Sequence, residues 1–214
     1  MEPMSIRPDI RLIFAAALEQ LTNEKRFQKI TVNDITSACN AHRSTFYRYF
    51  SDKMDLAEWY FRYLADLEAE ELLKNGHKLS DPYFSARAFL AILRMMHSKK
   101  QFFQKLAQYE GQNSFDKIYY QWNMDRIMEH IQRTNPGIEV PQNIKYALTF
   151  YYFGETKLIQ EWARNGMRET PEKMLEIALE NIPTLLQSYV NINFGSPSQQ
   201  SCEKNKHDKK EKTK

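Results

Sequence analysis

An all-α fold is what this sequence predicts, and three observations carry the prediction. The 214 residues include only 6 Gly and 8 Pro, too few turn formers for a chain of many short strands. Leu, Ala, Glu, Lys and Gln, all good helix formers, are plentiful. Apolar residues recur at three- and four-residue intervals almost throughout, the period of a helix with one buried face. The hydrophobic fraction of 42% is enough to fill a real core.

Taken in order, Ile10, Phe14, Ala17, Leu18 and Leu21 mark one face of a first helix. Residues 23–29 read as a charged linker. Two short helices follow, over about 31–39 and 42–50, then a longer one over 51–75 that Asn75-Gly76 would stop. After Ser80-Asp81-Pro82 a helix should run to about His97, and a shorter one should cover 101–108. Glu110-Gly111-Gln112-Asn113 interrupts the pattern before a helix over 114–133, which Asn135-Pro136-Gly137 closes with a turn. A long helix over 142–165 carries Ile144, Ala147, Leu148, Tyr151, Leu158, Ile159 and Trp162 on its apolar side, and Asn165-Gly166 ends it. Thr170 and Pro171 are suited to cap and open one last helix over 171–191. The expected division is a three-helix head over 1–51, a helical-bundle body over 52–194 and a disordered lysine-rich tail over 195–214.

The formal charge is +3, and the tail alone supplies it: six Lys stand against Glu203, Asp208 and Glu211. The rest of the chain is formally neutral, so only a local basic patch could argue for a nucleic-acid partner. Cys39 and Cys202 are far apart and fit neither a disulfide framework nor a zinc spacing, which suits a reduced compartment. Cys39 reads as a small core residue. The N-terminal stretch has no continuous apolar segment and no window has the length to cross a bilayer, so a cytoplasmic protein is expected. His97 and His130 lack a ligand partner at i+4, and no nucleophile motif, metal spacing or phosphate loop is present. Neither a cofactor nor an enzyme is expected.

Residues 30–56 carry the functional signal: two short helices joined by a tight turn. Thr31 can cap the first helix, with Asp34 as an imperfect capping-box partner. Val32, Ile35, Ala38 and Cys39 are expected to face inward together. Asn40 falls where the turn needs a left-handed residue, a conformation Asn tolerates. Phe46 and Phe50, four apart, anchor the second helix. Arg43, Ser44, Thr45, Tyr47 and Arg48 are then left on its outer and flanking faces. Between Lys25 and Lys53 six basic residues stand against Asp34 and Asp52, a local net of +4. Such a helix can enter a DNA major groove.

The pattern Thr31-Val32-x-Asp34-Ile35, then Thr45-Phe46-Tyr47-x-Tyr49-Phe50, then Lys53-x-x-Leu56 resembles the TetR family of regulators. The resemblance implies a DNA-binding head, a ligand-binding and dimerising body, and a homodimer on a palindromic operator. Carried over by position, Thr31, Tyr47 and Lys53 would contact phosphates. His42, Arg43, Ser44, Thr45 and Tyr49 would lie at or near the groove. The family's usual Gly-Val-Ser turn is replaced here by Asn40-Ala41-His42, which puts the cap of the recognition helix and the base sequence in doubt. Residues 150–171, with their aromatic run, Gly154, Trp162 and Asn165-Gly166-Met167, resemble the bodies of a subgroup that includes dihydroxyacetone-kinase activators.

The body aromatics serve a core first. Phe89, Phe103, Phe115, Tyr119 and Trp122 are the candidates to line an apolar pocket for a small-molecule effector. Tyr151, Leu158, Trp162, Leu185 and Tyr189 are the candidate dimer contacts, on two helices that would form a four-helix interface. The expected function is a ligand-responsive repressor; the alternative is a coactivator of the same fold that binds another regulatory protein instead of DNA.

Overall fold

The computed structural model describes residues 9–74, 85–111, 113–137 and 139–190. The Asn75-Gly76 stop, the 80–82 turn, Cys202, the end of the last helix at 191 and the lysine-rich tail lie outside the described residues. Within them the chain forms ten α-helices, one 3-10 turn and no strand.

Helix α1 (Ile10–Glu24) starts where the Asp9 carboxylate accepts a hydrogen bond from the backbone N–H of Arg11 at 2.9 Å. Its apolar face buries Phe14, Ala15, Ala17, Leu18 and Leu21. The segment expected as a charged linker holds a 3-10 turn, Phe27–Lys29, whose Phe27 is completely buried. A lone Phe among charged residues carries no helical period, so spacing alone passes over it. Helices α2 (Val32–Ala38) and α3 (Arg43–Tyr47) complete the head. Ile35 and Thr36 are the buried residues of α2; Ala38, expected to face inward, is exposed. Ile35, Thr36 and Cys39 supply the inward contacts of this two-turn helix instead.

Helix α4 (Lys53–Lys74) runs from the head into the body. Ser85 caps α5 (Ala86–Ser98) by accepting from the Ala88 N–H at 3.0 Å. A sharp corner at Lys99 leads into α6 (Lys100–Ala107). The long antiparallel pair α7 (Phe115–Thr134) and α8 (Gln142–Arg164) packs with α6 against α8. Gly166, at φ +80°, takes the left-handed conformation that ends α8, as Asn165-Gly166 suggests. Helix α9 (Pro171–Glu180), capped by Thr170 with Pro171 at its start, packs on α5.

The single last helix expected over 171–191 is two helices. Asn181 ends α9, and α10 (Thr184–Val190) starts after Pro183 and packs on α7 and α8. Proline has no N–H to give the preceding turn and its ring crowds the residue before it, so an apolar stripe that crosses Pro183 does not continue as one helix.

One apolar cluster runs from Phe14, Phe46 and Phe50 in the head through Phe61 on α4 to Phe103, Phe115 and Trp162 in the body. A second, smaller cluster joins Ile127 and Ile131 of α7, Ile144, Leu148 and Tyr152 of α8, and Leu186 of α10. Head and body therefore share a core, and each fully buried Phe or Leu contributes roughly 1.5–3 kcal/mol relative to exposure.

Candidate nucleic-acid interface

The helix-turn-helix is built by local hydrogen bonds of a few named side chains. Thr31 and Asp34 form a complete capping box. The Thr31 hydroxyl accepts from the Asp34 N–H at 3.1 Å, and the Asp34 carboxylate accepts from the Thr31 N–H at 2.8 Å. The Thr31 hydroxyl also donates to Asp34 at 2.8 Å, and the Lys25 ammonium lies 2.9 Å from the other carboxylate oxygen. Lys25 and then Thr31 hold the Asp34 carboxyl down at about 2. At the turn Asn40 sits at φ 53°, as its residue type suggested, and the Ala41 N–H donates to the Thr36 carbonyl at 2.8 Å.

Helix α3 stands on Phe46 and Phe50, both buried. The Phe46 ring meets Phe14 edge-on at 5.3 Å and packs on Phe50 at 5.6 Å. That anchorage leaves His42, Arg43, Ser44, Tyr47, Arg48 and Tyr49 exposed and Thr45 half-buried. Tyr47 is 50% exposed and Tyr49 45%, unusual openness for aromatic side chains in a head this small. His42 occupies the N-cap of α3 but makes no side-chain capping bond.

Two candidate phosphate contacts have other work. Lys53 is turned inward: its ammonium donates to the carbonyls of Phe27, Gln28 and Ile30 at 2.8, 3.1 and 2.7 Å, and sits 5.0 Å from the Phe27 ring centre. An ammonium has three protons, and all three are used. Burial pulls its pKa below the usual lysine value. Thr31 gives its hydroxyl proton to Asp34. Sequence position placed both near DNA, but only the fold shows where their donors go.

The body candidates separate in the same way. Phe103, Phe115, Tyr119 and Trp122 are buried and surround Phe61, with ring centres 5.2–6.3 Å from it in edge-on contacts. They are part of the main apolar cluster, and Phe89 is half-buried at its edge. Aromatic rings at helical spacing reach the best contact area by packing on one another. Among them lies a group the sequence reading missed, Glu155 on α8. It is 7% exposed and accepts from the Tyr119 hydroxyl at 2.9 Å and from the Asn123 amide at 3.1 Å. Burial raises its carboxyl to about 8 against the opposing pull of the Tyr119 hydrogen bond. The signal was present: Leu148, Tyr152, Glu155 and Ile159 fall on one helical stripe.

Of the candidate dimer contacts, Trp162 is inside its own subunit, 3% exposed, with its indole N–H donating to the Glu169 carbonyl at 3.0 Å. Leu158, Tyr151 and Tyr189 are half-buried in the two cores, and the Tyr151 hydroxyl donates to the Ala178 carbonyl at 3.1 Å. Leu185 is exposed. The open apolar face of α8 is a different one: Tyr146, Phe150 and Phe153 are 68%, 83% and 57% exposed. With Thr149 and Gly154 they line a groove of about 400 Å³. No helix among the described residues is long and apolar enough to cross a membrane.

A two-helix corner of this geometry, with a short exposed second helix, defines a helix-turn-helix protein. Residues 13–58 match the family described as bacterial regulatory proteins, tetR family, and residues 85–183 match the transcriptional regulator C-terminal region of that family. The chain belongs to the TetR family of transcriptional regulators. A transcriptional activator of the dhaKLM operon from Lactococcus lactis, DhaS, is 30% identical over 94 residues, which take in 44% of this chain and 46% of that protein. The aligned stretch thus spans about half the length of this curated relative. The solved structure of a dihydroxyacetone kinase operon activator DhaS superposes with a TM-score of 0.56 at 20% identity, over 84% of this chain and 97% of the other. A structure described as a TetR-family regulator from Syntrophomonas wolfei gives 0.52 at 16% identity, over 82% and 93%. These likenesses support the all-helical head-and-body fold.

Proposed function

We propose that the protein binds a palindromic DNA operator as a homodimer and represses transcription until a small-molecule effector alters the spacing of its heads. One observation carries the DNA-binding part: α3 is held by Phe46 and Phe50 while Arg43, Ser44, Tyr47, Arg48 and Tyr49 stand exposed beside one another. Arginine and tyrosine donors suit phosphate and base edges, and a short second helix is the element that enters the major groove. With Lys53 and Thr31 engaged in the fold, the contacts are assigned to His42, Arg43, Ser44, Thr45, Tyr47 and Tyr49. Two such helices must sit about 34–36 Å apart to meet successive turns of one face of the duplex.

The exposed aromatics of α8, with Leu185 of α10, supply the surface for a second copy. Large exposed apolar patches of this kind mark association sites. Light scattering at micromolar concentration is expected to give a dimer, and Phe150→Glu with Phe153→Glu a folded monomer. A wild-type monomer removes the dimer.

The DNA reading is tested by fluorescence anisotropy on duplexes selected from a random pool, over a series of salt concentrations. Tight binding that weakens steeply with salt is expected. If no duplex is selected, the second reading leads: a coactivator that docks on another regulatory protein. The uncapped His42 in α3 and the activator role in the name of the Lactococcus relative favour that alternative.

A further inference from the structure

We infer that Arg43 reads a guanine in each half of the operator, and that Tyr47 holds its guanidinium in the reading position. This deepens the proposed DNA-binding function and rests on it.

Arg43 is the first residue of α3, the end of a recognition helix that faces base edges in helix-turn-helix complexes. Its Nη2 donates to the Tyr47 hydroxyl at 3.3 Å, and its guanidinium carbon lies 5.8 Å from the Tyr47 ring centre. The two residues are four apart, so they share one face of the helix. Tyr47 is itself braced: its ring meets the fully buried Phe46 edge-on at 5.6 Å, with the planes 87° apart. A line of contacts therefore runs from the core through Phe46 and Tyr47 to the Arg43 guanidinium.

The charge of Arg43 is also available. Arg11, Arg62, Arg94 and Arg164 each lie within 2.6–2.9 Å of a carboxylate oxygen. Among the described residues no carboxylate lies within ion-pair distance of Arg43. Arg48, at the other end of α3, shares that freedom but has no aromatic brace among the described residues, and a loosely held cation suits a phosphate.

Guanine is the base that matches. In the major groove it presents N7 and O6 as neighbouring acceptors, and the guanidinium presents two parallel N–H donors. Adenine puts a donor amino group beside N7, so one bond is lost and a like dipole is met. Exposed Ser44 and half-buried Thr45 are small enough for the helix end to approach the base edges. While its oxygen accepts a hydrogen bond from Arg43, the Tyr47 hydroxyl keeps its own proton to donate to a phosphate.

The test is selection from random duplex DNA with the full chain, in wild type, Arg43→Ala and Tyr47→Phe forms. Both side chains are exposed, so matching thermal melts establish that the variants fold. Wild type is expected to enrich a guanine at symmetric positions of an inverted repeat. Changing that guanine to adenine, or to 7-deazaguanine, should weaken wild type by about tenfold or more. Arg43→Ala should enrich no base there and bind the guanine and adenine duplexes equally, while keeping its preferences elsewhere. Tyr47→Phe should narrow the guanine-to-adenine ratio. Retention of the guanine preference by Arg43→Ala overturns the reading role while leaving DNA binding intact. Equal weakening of both duplexes by Tyr47→Phe reduces Tyr47 to a phosphate contact. If wild type selects no duplex, the DNA-binding function falls, and this inference with it.

Discussion

Lys53 illustrates how one side chain can be read two ways. Placed by motif, it is a cation beside DNA; placed by the fold, it ties off the carbonyls of Phe27, Gln28 and Ile30. The two roles predict different measurements. Lys53→Met is expected to lower stability by about 1.5–3 kcal/mol in urea melts, since charge-assisted hydrogen bonds are lost and the carbonyls are left short of a donor. A phosphate contact would instead leave stability alone and reduce the salt slope of DNA binding by about 1. Glu155 offers a second test at this scale, through pH. Its folded carboxyl titrates at about 8, above its ordinary 4.5, so the fold favours the protonated form. Stability is then full below about pH 4.5 and falls as pH rises through about 8. Glu155→Gln is expected to melt higher than wild type near pH ~9 and to lose that advantage near pH ~4. Equal melting of the two proteins across the range would show that the carboxylate is solvated in the fold.

At the scale of the element, the turn between α2 and α3 is set by one backbone conformation. Asn40 stands at φ 53°, and the Ala41 N–H closes the corner on Thr36. A β-branched residue at Asn40 faces the full left-handed penalty, so Asn40→Val should cost about 1–2 kcal/mol, whereas Asn40→Gly should be close to neutral. Circular dichroism melts of the two variants decide it. The elements also show how far periodicity reaches. The long helices, the Asn135-Pro136-Gly137 turn, the Asn165-Gly166 stop and the Thr170-Pro171 start stand as their residues predict. The break at Pro183 was visible as a residue type but was overridden by the apolar stripe that continues past it. Phe27 was hidden because a single buried aromatic in a charged stretch has no period to reveal it.

At the scale of the whole molecule, polar and aromatic contacts add to the shared apolar core in fastening the head to the body. Lys99, at the corner between α5 and α6, donates to both carboxylate oxygens of Glu19 on α1 at 2.9 Å, and the Tyr60 hydroxyl of α4 donates to the same carboxylate at 2.5 Å. Burial first, and then the bond to Glu19, raises the Tyr60 hydroxyl to about 12. On the other side the Phe27 ring meets Tyr109 at a tilt of 58° with centres 5.5 Å apart, and the Gln28 amide donates to the Gln108 carbonyl at 3.1 Å. A double-mutant cycle on Glu19→Gln and Lys99→Met should give a coupling energy of about 1 kcal/mol. Hydrogen exchange in the Lys99 variant should show lost protection in α1 with α7 and α8 unchanged, because the fastening is local to the head.

The sequence by itself determined the all-helical class, most helix boundaries, the helix-turn-helix and the exposed set on α3. Those follow from local rules: a 3.6-residue period, caps, and turn residues that adopt positive φ. The tertiary structure alone decided which face of each body helix is open. On α8 both sides are aromatic, so Trp162 and Phe150 look alike in sequence; only the packing of other helices, α6 and α7 among them, against α8 buries the first and leaves the second outside. It also decided where Lys53 points. Those outcomes depend on atoms brought together from distant positions in the chain, and no local pattern encodes them.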